Sequence, residues 1–153
     1  MIIENLAIPT GVTRPGEKMA AFLEECVRCD VPGLPYVDET GQVVGRLSIR
    51  HFFKEDCVPP YMLNAAHLLG DDIQKVRIPH IKRSELLAEP VERYVLQNFP
   101  HISSRSPIIK GMAIMEQCNS SYLFVIDDGE YKGVVTRMGI ARRLLEAPDE
   151  TVI

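Results

Sequence analysis

The chain has no basic excess: 17 Lys and Arg stand against 21 Asp and Glu, for a net charge of −4 and a pI near 5.6. A dedicated nucleic-acid binder carries a basic footprint, so that class is set aside and no nucleic-acid partner is expected. No apolar run approaches the ~20 residues that a membrane helix needs. The opening Met1-Ile-Ile-Glu-Asn-Leu6 lacks the positive region and long apolar stretch of a secretory signal. The expected location is therefore cytoplasmic, with no membrane partner. Four cysteines are too few for a disulfide scaffold in a chain of this length. Four histidines, His51, His67, His80 and His101, are scattered without metal-ligand spacing. Phosphate-loop, nucleophile-elbow and dinucleotide fingerprints are all missing. The carboxylate pairs Glu24–Glu25, Asp71–Asp72 and Asp127–Asp128 fall in a helix and in turns, and turn preference accounts for the last two without acid–base chemistry. The short basic stretch 77–83 is flanked by acids and reads as a solvated loop. The chain carries no catalytic signature and is not expected to be an enzyme.

What is present is the make-up of one soluble globular domain, with 153 residues, 46% hydrophobic and 25% charged. Met19, Phe22, Leu23, Cys26 and Val27 recur at helical spacing, which predicts an amphipathic helix from near Glu17 that stops at Asp30-Val-Pro32. Cys26 and Cys29 form a Cys-x-x-Cys within it. The pair is either a metal or redox motif or, as the place of Cys26 on the apolar stripe favours, a buried hydrophobe and its neighbour. Leu34–Val37 and Val43–Leu47 read as a hairpin closed by Asp38-Glu-Thr-Gly41, and Ser48 as the N-cap of a short helix over 49–54.

The same order returns later. Ser106-Pro107 opens a helix with Pro107 at its first position, and Ile108, Met112 and Met115 face inward. Tyr122–Ile126 and Lys132–Val135 form a hairpin around Asp127-Asp-Gly129. Thr136 caps a helix bearing Ile140, Leu144 and Leu145, which ends before Pro148. A short β segment is expected before each first helix, near Ala7–Ile8 or Val12 and near His101–Ser103. From Gly41 the copies align without a gap: Gly41 on Gly129, Gly45 on Gly133, Ser48 on Thr136, His51 on Gly139. The chain is thus an internal duplication of a β-α-β-β-α unit. The first repeat is expected over 1–54, the second over 90–153, with an inter-repeat segment over 55–89 that holds a helix over 60–69, a break at 70–72 and a helix over 84–88.

Leu34-Pro-Tyr-Val-Asp38, Gly41, Gly45 and Ser48, then Phe124-Val-Ile-Asp127, Gly129, Gly133 and Thr136, resemble the cystathionine β-synthase (CBS) domain pair, or Bateman module. The resemblance implies an α+β fold in which two pseudo-symmetric repeats pack sheet to sheet and leave two clefts. It implies a regulatory module that senses an adenosyl ligand such as AMP, ATP or S-adenosylmethionine, or another anionic metabolite. Such a module forms a homodimer and acts on a separate effector protein. Carried over residue by residue, the ligand contacts are Leu34, Pro35, Tyr36, Ser48, Arg50 and His51 in one cleft, and Tyr122, Phe124, Thr136, Arg137 and Gly139 in the other.

One departure bears on chemistry. Nucleotide-binding members place an Asp three residues after the Ser or Thr, where it accepts from both ribose hydroxyls, and here those positions hold His51 and Gly139. Glycine makes no such contact, and neutral histidine accepts one hydrogen bond at most. Ser48 and Thr136 at helix starts, with Arg50, Arg137, Arg142 and Arg143 nearby, suit an anion; equally, they can be plain caps and solvated charges. Three functions stay open: a metabolite sensor, a ligand-free dimerisation or interaction adaptor, and a small enzyme with a composite site.

Overall fold

The computed structural model of the chain describes residues 1–68, 70 and 80–153. The fold is α+β with two small sheets. Helix α1 (Met19–Cys29) leads to the antiparallel hairpin β1 (Gly33–Val37) and β2 (Val43–Ser48), and α2 (Ile49–Asp56) follows directly. After α3 (Arg83–Ala88) the order recurs as β3 (His101–Ile102), α4 (Ile108–Gln117), β4 (Tyr122–Asp127), β5 (Glu130–Thr136) and α5 (Arg137–Glu146). β3 runs parallel to β4 in the second sheet, and Thr13 makes the matching parallel bridge to Tyr36 in the first.

The segments that lead into the repeats are exchanged. Ile8 pairs with Val134 of β5, and Leu96 pairs with Arg46 of β2 in the aligned position. Both motif glycines are required by these close approaches. A Cβ on Gly45 would lie 2.8 Å from the Leu96 carbonyl oxygen, and one on Gly133 would lie 2.5 Å from that of Ile8. Packing therefore crosses the repeats as they are written along the chain. Ile3 and Leu6 enter a core with Ile102, Ile108, Met115, Leu123, Val125, Val135 and Ile140. Val91 and Tyr94 enter the other core, with Met19, Phe22, Cys26, Leu34, Leu47 and Phe52. Alternation along β4 joins the two, because Tyr122 and Phe124 face this second core while Leu123 and Val125 face the first.

Several local expectations are corrected. α1 begins at Met19, not near Glu17, because Lys18 is drawn into a bridge with Pro90 and the Met19 N–H donates to the Glu89 carbonyl at 2.9 Å. Val27 falls off the buried stripe and is 78% exposed. Pro107 precedes α4 in an extended conformation (ψ 149°), held there by its bridge to Ile2. The single helix expected over 60–69 is instead two 3-10 turns, Pro60–Met62 and Ala66–Leu68. Neither turn buries a residue, so no apolar face holds a longer helix. Residue 69, the Asp71–Asp72 pair and positions 77–79 of the basic stretch lie outside the described residues. No helix of the described chain is long and apolar enough to cross a membrane.

Candidate functional site

A cleft of about 620 Å³ opens where the two repeats meet, within the size range of small-molecule sites. The first repeat supplies Pro32, Arg46, Ser48, Arg50, His51 and Lys54, and the second supplies Cys118 to Tyr122 and Arg137, with Leu96 from the exchanged segment. β2 delivers Arg46 and Ser48 to the wall, and the first turn of α2 delivers Arg50 and His51, with Lys54 one turn on.

Tyr122 forms the floor. Its pKa is raised because burial penalises the phenolate, while Arg46 and Ser48 beside it act in the opposite direction. Arg46 donates through Nη1 to the Tyr122 hydroxyl at 3.2 Å and through Nε to the Asn98 carbonyl at 2.8 Å, with its guanidinium 5.9 Å from the ring centre. Arg137 donates to the Ser120 carbonyl at 3.3 Å and pairs with Glu116 at 3.0 Å. The His51 Nδ1 lies 3.8 Å from a Glu55 carboxylate oxygen. The lining is cationic, on a chain whose net charge is −4.

The two hydroxyl residues of the repeat are used differently. Thr136 accepts from the Gly139 N–H at 2.9 Å and caps α5, as expected. Ser48 occupies the cap position of α2 but makes no capping bond, contrary to expectation, because its hydroxyl is turned toward the Tyr122 phenol. Of the residues read from the sequence, the cleft brings together Ser48, Arg50, His51, Tyr122 and Arg137. Leu34 and Phe124 are buried in the inter-repeat core, with Tyr36 packed against it, and Pro35 is buried within β1. Thr136 is buried and Gly139 half-buried at the start of α5.

Arg46, Lys54 and the 118–121 turn were not singled out in the sequence. The spacing of Lys54 four residues after Arg50 was the one available signal, since it puts both on one helix face. The Cys-x-x-Cys resolves toward packing. Burial pushes the Cys26 thiol up to about 12, leaving it protonated, and the Cys29 thiol donates to Glu25 at 3.1 Å. Among the described residues no group of three or more His, Cys, Asp or Glu could hold a metal.

A family model described as CBS domain matches residues 91–146. A sequence search of curated proteins gave no match. Among solved structures, an uncharacterized conserved protein from Pyrococcus horikoshii superposes with a TM-score of 0.68 at 16% identity, covering 99% of this chain and 97% of that one. CBSX2, solved in complex with AMP, gives 0.65 at 19%, covering 95% and 96%. The CBS domain pair of protein MJ0100, solved with 5′-methylthioadenosine and S-adenosyl-L-methionine, gives 0.64 at 17%, covering 95% and 97%. At these identities the likeness is one of fold. Residues 91–146 thus match the CBS domain model, and over nearly its whole length the chain has the fold of a CBS domain pair.

Proposed function

We propose that this module senses a small metabolite, an adenosyl compound or another anionic one, and reports its presence to a separate effector protein rather than transforming it. The observation that carries this reading is the inter-repeat cleft, where Arg46, Arg50, Lys54 and Arg137 converge beside the hydroxyl of Ser48. Similarly folded CBS pairs solved with AMP, 5′-methylthioadenosine and S-adenosylmethionine support the choice of candidates. A thermal-shift panel of those compounds and ATP tests it, because a ligand that binds only the native state raises apparent stability. If none of them, nor any simple polyanion, raises the melting temperature, the sensing reading fails.

A second reading, a ligand-free interaction adaptor, is favoured by one feature: neither hydroxyl motif carries the ribose-holding carboxylate, His51 and Gly139 standing in its place. AMP is accordingly expected to bind weakly. His51→Asp should tighten AMP binding by about tenfold or more through one charge-assisted hydrogen bond. Calorimetric titration of wild type and variant checks this, and tight wild-type binding unchanged by the substitution would show the ribose argument to be wrong.

A further inference from the structure

Three cations of the cleft have no carboxylate partner among the described residues. Arg46 is held by the Asn98 carbonyl and the Tyr122 hydroxyl, neutral acceptors that orient its guanidinium without cancelling its charge. Arg50 and Lys54 are both exposed and form no ion pair among the described residues. They stand four residues apart on α2, with Cβ atoms about 5–6 Å from one another. Among the described residues, Arg137 is the cleft cation that is compensated, by Glu116. Uncompensated positive charge in a walled cleft concentrates anions there.

The nucleoside side of recognition is missing in the same place. His51 stands where a ribose carboxylate would, and its ring faces Glu55. Ser48 does not bond the first-turn amides of α2, so those donors keep no side-chain acceptor, unlike the start of α5. The Ile49 N–H already donates to the Pro32 carbonyl at 3.0 Å, and an anion can take the Arg50 and His51 amides.

We infer that this cleft recognises a diphosphate group, free or carried on a nucleotide, with the nucleoside dispensable; the inference rests on the ligand-sensing reading above. One phosphate, carrying about −1.5 to −2 at neutral pH, leaves three cations incompletely neutralised. Two linked phosphates offer several acceptor oxygens, and guanidinium forks suit them. A neutral nucleoside leaves the cations unanswered, and the single carboxylate of S-adenosylmethionine answers at most one.

The test is isothermal calorimetry on the full chain with inorganic pyrophosphate, inorganic phosphate, citrate, ADP and adenosine, repeated on Arg50→Gln and Lys54→Gln. Both substituted side chains are exposed, and thermal melts of the free variants check that folding is intact. Arg105→Gln, at an exposed arginine outside the cleft, is the control. Pyrophosphate and ADP are expected to bind within about tenfold of each other. Phosphate should bind at least about tenfold more weakly, and adenosine should give no heat. Each cleft substitution should weaken pyrophosphate by about tenfold or more, and the control should leave it unchanged. Adenosine binding as tightly as ADP, with both cleft variants unaffected, overturns the diphosphate assignment while leaving a sensor. Citrate matching pyrophosphate overturns it likewise. No binding by any compound of this panel or the adenosyl panel overturns both readings.

Discussion

Gly33 shows how a single residue sets the junction between the repeats. It pairs with Ser48 across the first hairpin, and a Cβ there would overlap the Tyr122 hydroxyl and lie 2.7 Å from the Leu47 carbonyl oxygen. Tyr122 thus reaches the first repeat only because position 33 has no side chain. Gly33→Ala is expected to destabilise the protein by about 1–3 kcal/mol, the usual cost of overpacking, and to displace Tyr122 from Arg46. Adding Tyr122→Phe removes the hydroxyl and should restore part of the loss, while the crowding against the ring carbon Cζ, 2.6 Å away, and against Leu47 remains. Chemical denaturation of the two variants measures it; an alanine variant as stable as wild type would show that the strands part freely there. Ser48 and Thr136 teach the complementary lesson. They are aligned in the sequence, yet one caps a helix and the other turns to a tyrosine of the opposite repeat.

At the scale of an element, α1 is tied down by Glu25. Its carboxylate accepts from the Arg28 guanidinium at 2.5 and 2.9 Å, from the Gly11 N–H at 2.8 Å and from the Cys29 thiol at 3.1 Å. These bonds, that of Arg28 foremost, lower its pKa to about 2. A carboxyl depressed on folding stabilises the native state above its unfolded pKa, near 4.5, and that contribution is lost as pH falls toward 2. Wild type should therefore lose stability across this window, and Glu25→Gln should lose less. Asp38 and Asp127 are also lowered, the first chiefly by the Thr40 hydroxyl and the second by the Ser104 side chain, so they act in the same direction in both proteins. The difference between the two melting-temperature profiles isolates Glu25, and parallel profiles would refute the role.

The elements themselves were largely legible in the sequence. Short apolar runs on either side of the acidic turns at Gly41 and Gly129 marked both hairpins, and the i, i+3, i+7 positions of Met19, Phe22 and Cys26 marked the buried face of α1. What escaped was set by partners distant along the chain. The start of α1 depends on Pro90, the start of α4 on Ile2, and the cleft wall on Arg46 held by Asn98. No local pattern around those residues encodes a contact some 50 to 100 positions away, as in the bridges Arg46–Leu96 and Ile2–Pro107.

For the whole molecule, the exchange of leading segments leaves neither repeat complete by itself, so the pair is the unit that must be soluble or find a partner. Its second half presents apolar surface that none of the described residues covers. Met138 and Leu145, 66% and 88% exposed, lie on α5. Beside them a groove of about 410 Å³ runs between α4 and α5, lined by Met112, Met115, Ile140, Ala141 and Leu144. Phe53 is exposed on α2, whereas its neighbour Phe52 is fully buried edge-on against Tyr94. Contiguous apolar patches of more than a few hundred Å² mark interaction sites. The occupant argued for here is a second copy of the chain, which the resemblance implies and which would cover two such faces at once. Light scattering is expected to return twice the 17.2 kDa of one chain. Leu145→Glu should shift the population to monomer, by burying a charge in the interface, without lowering the stability of the folded chain, since that side chain supports no core. A wild-type monomer at micromolar concentration, where a dissociation constant of 1 μM corresponds to about −8.2 kcal/mol, would leave this face to the effector instead.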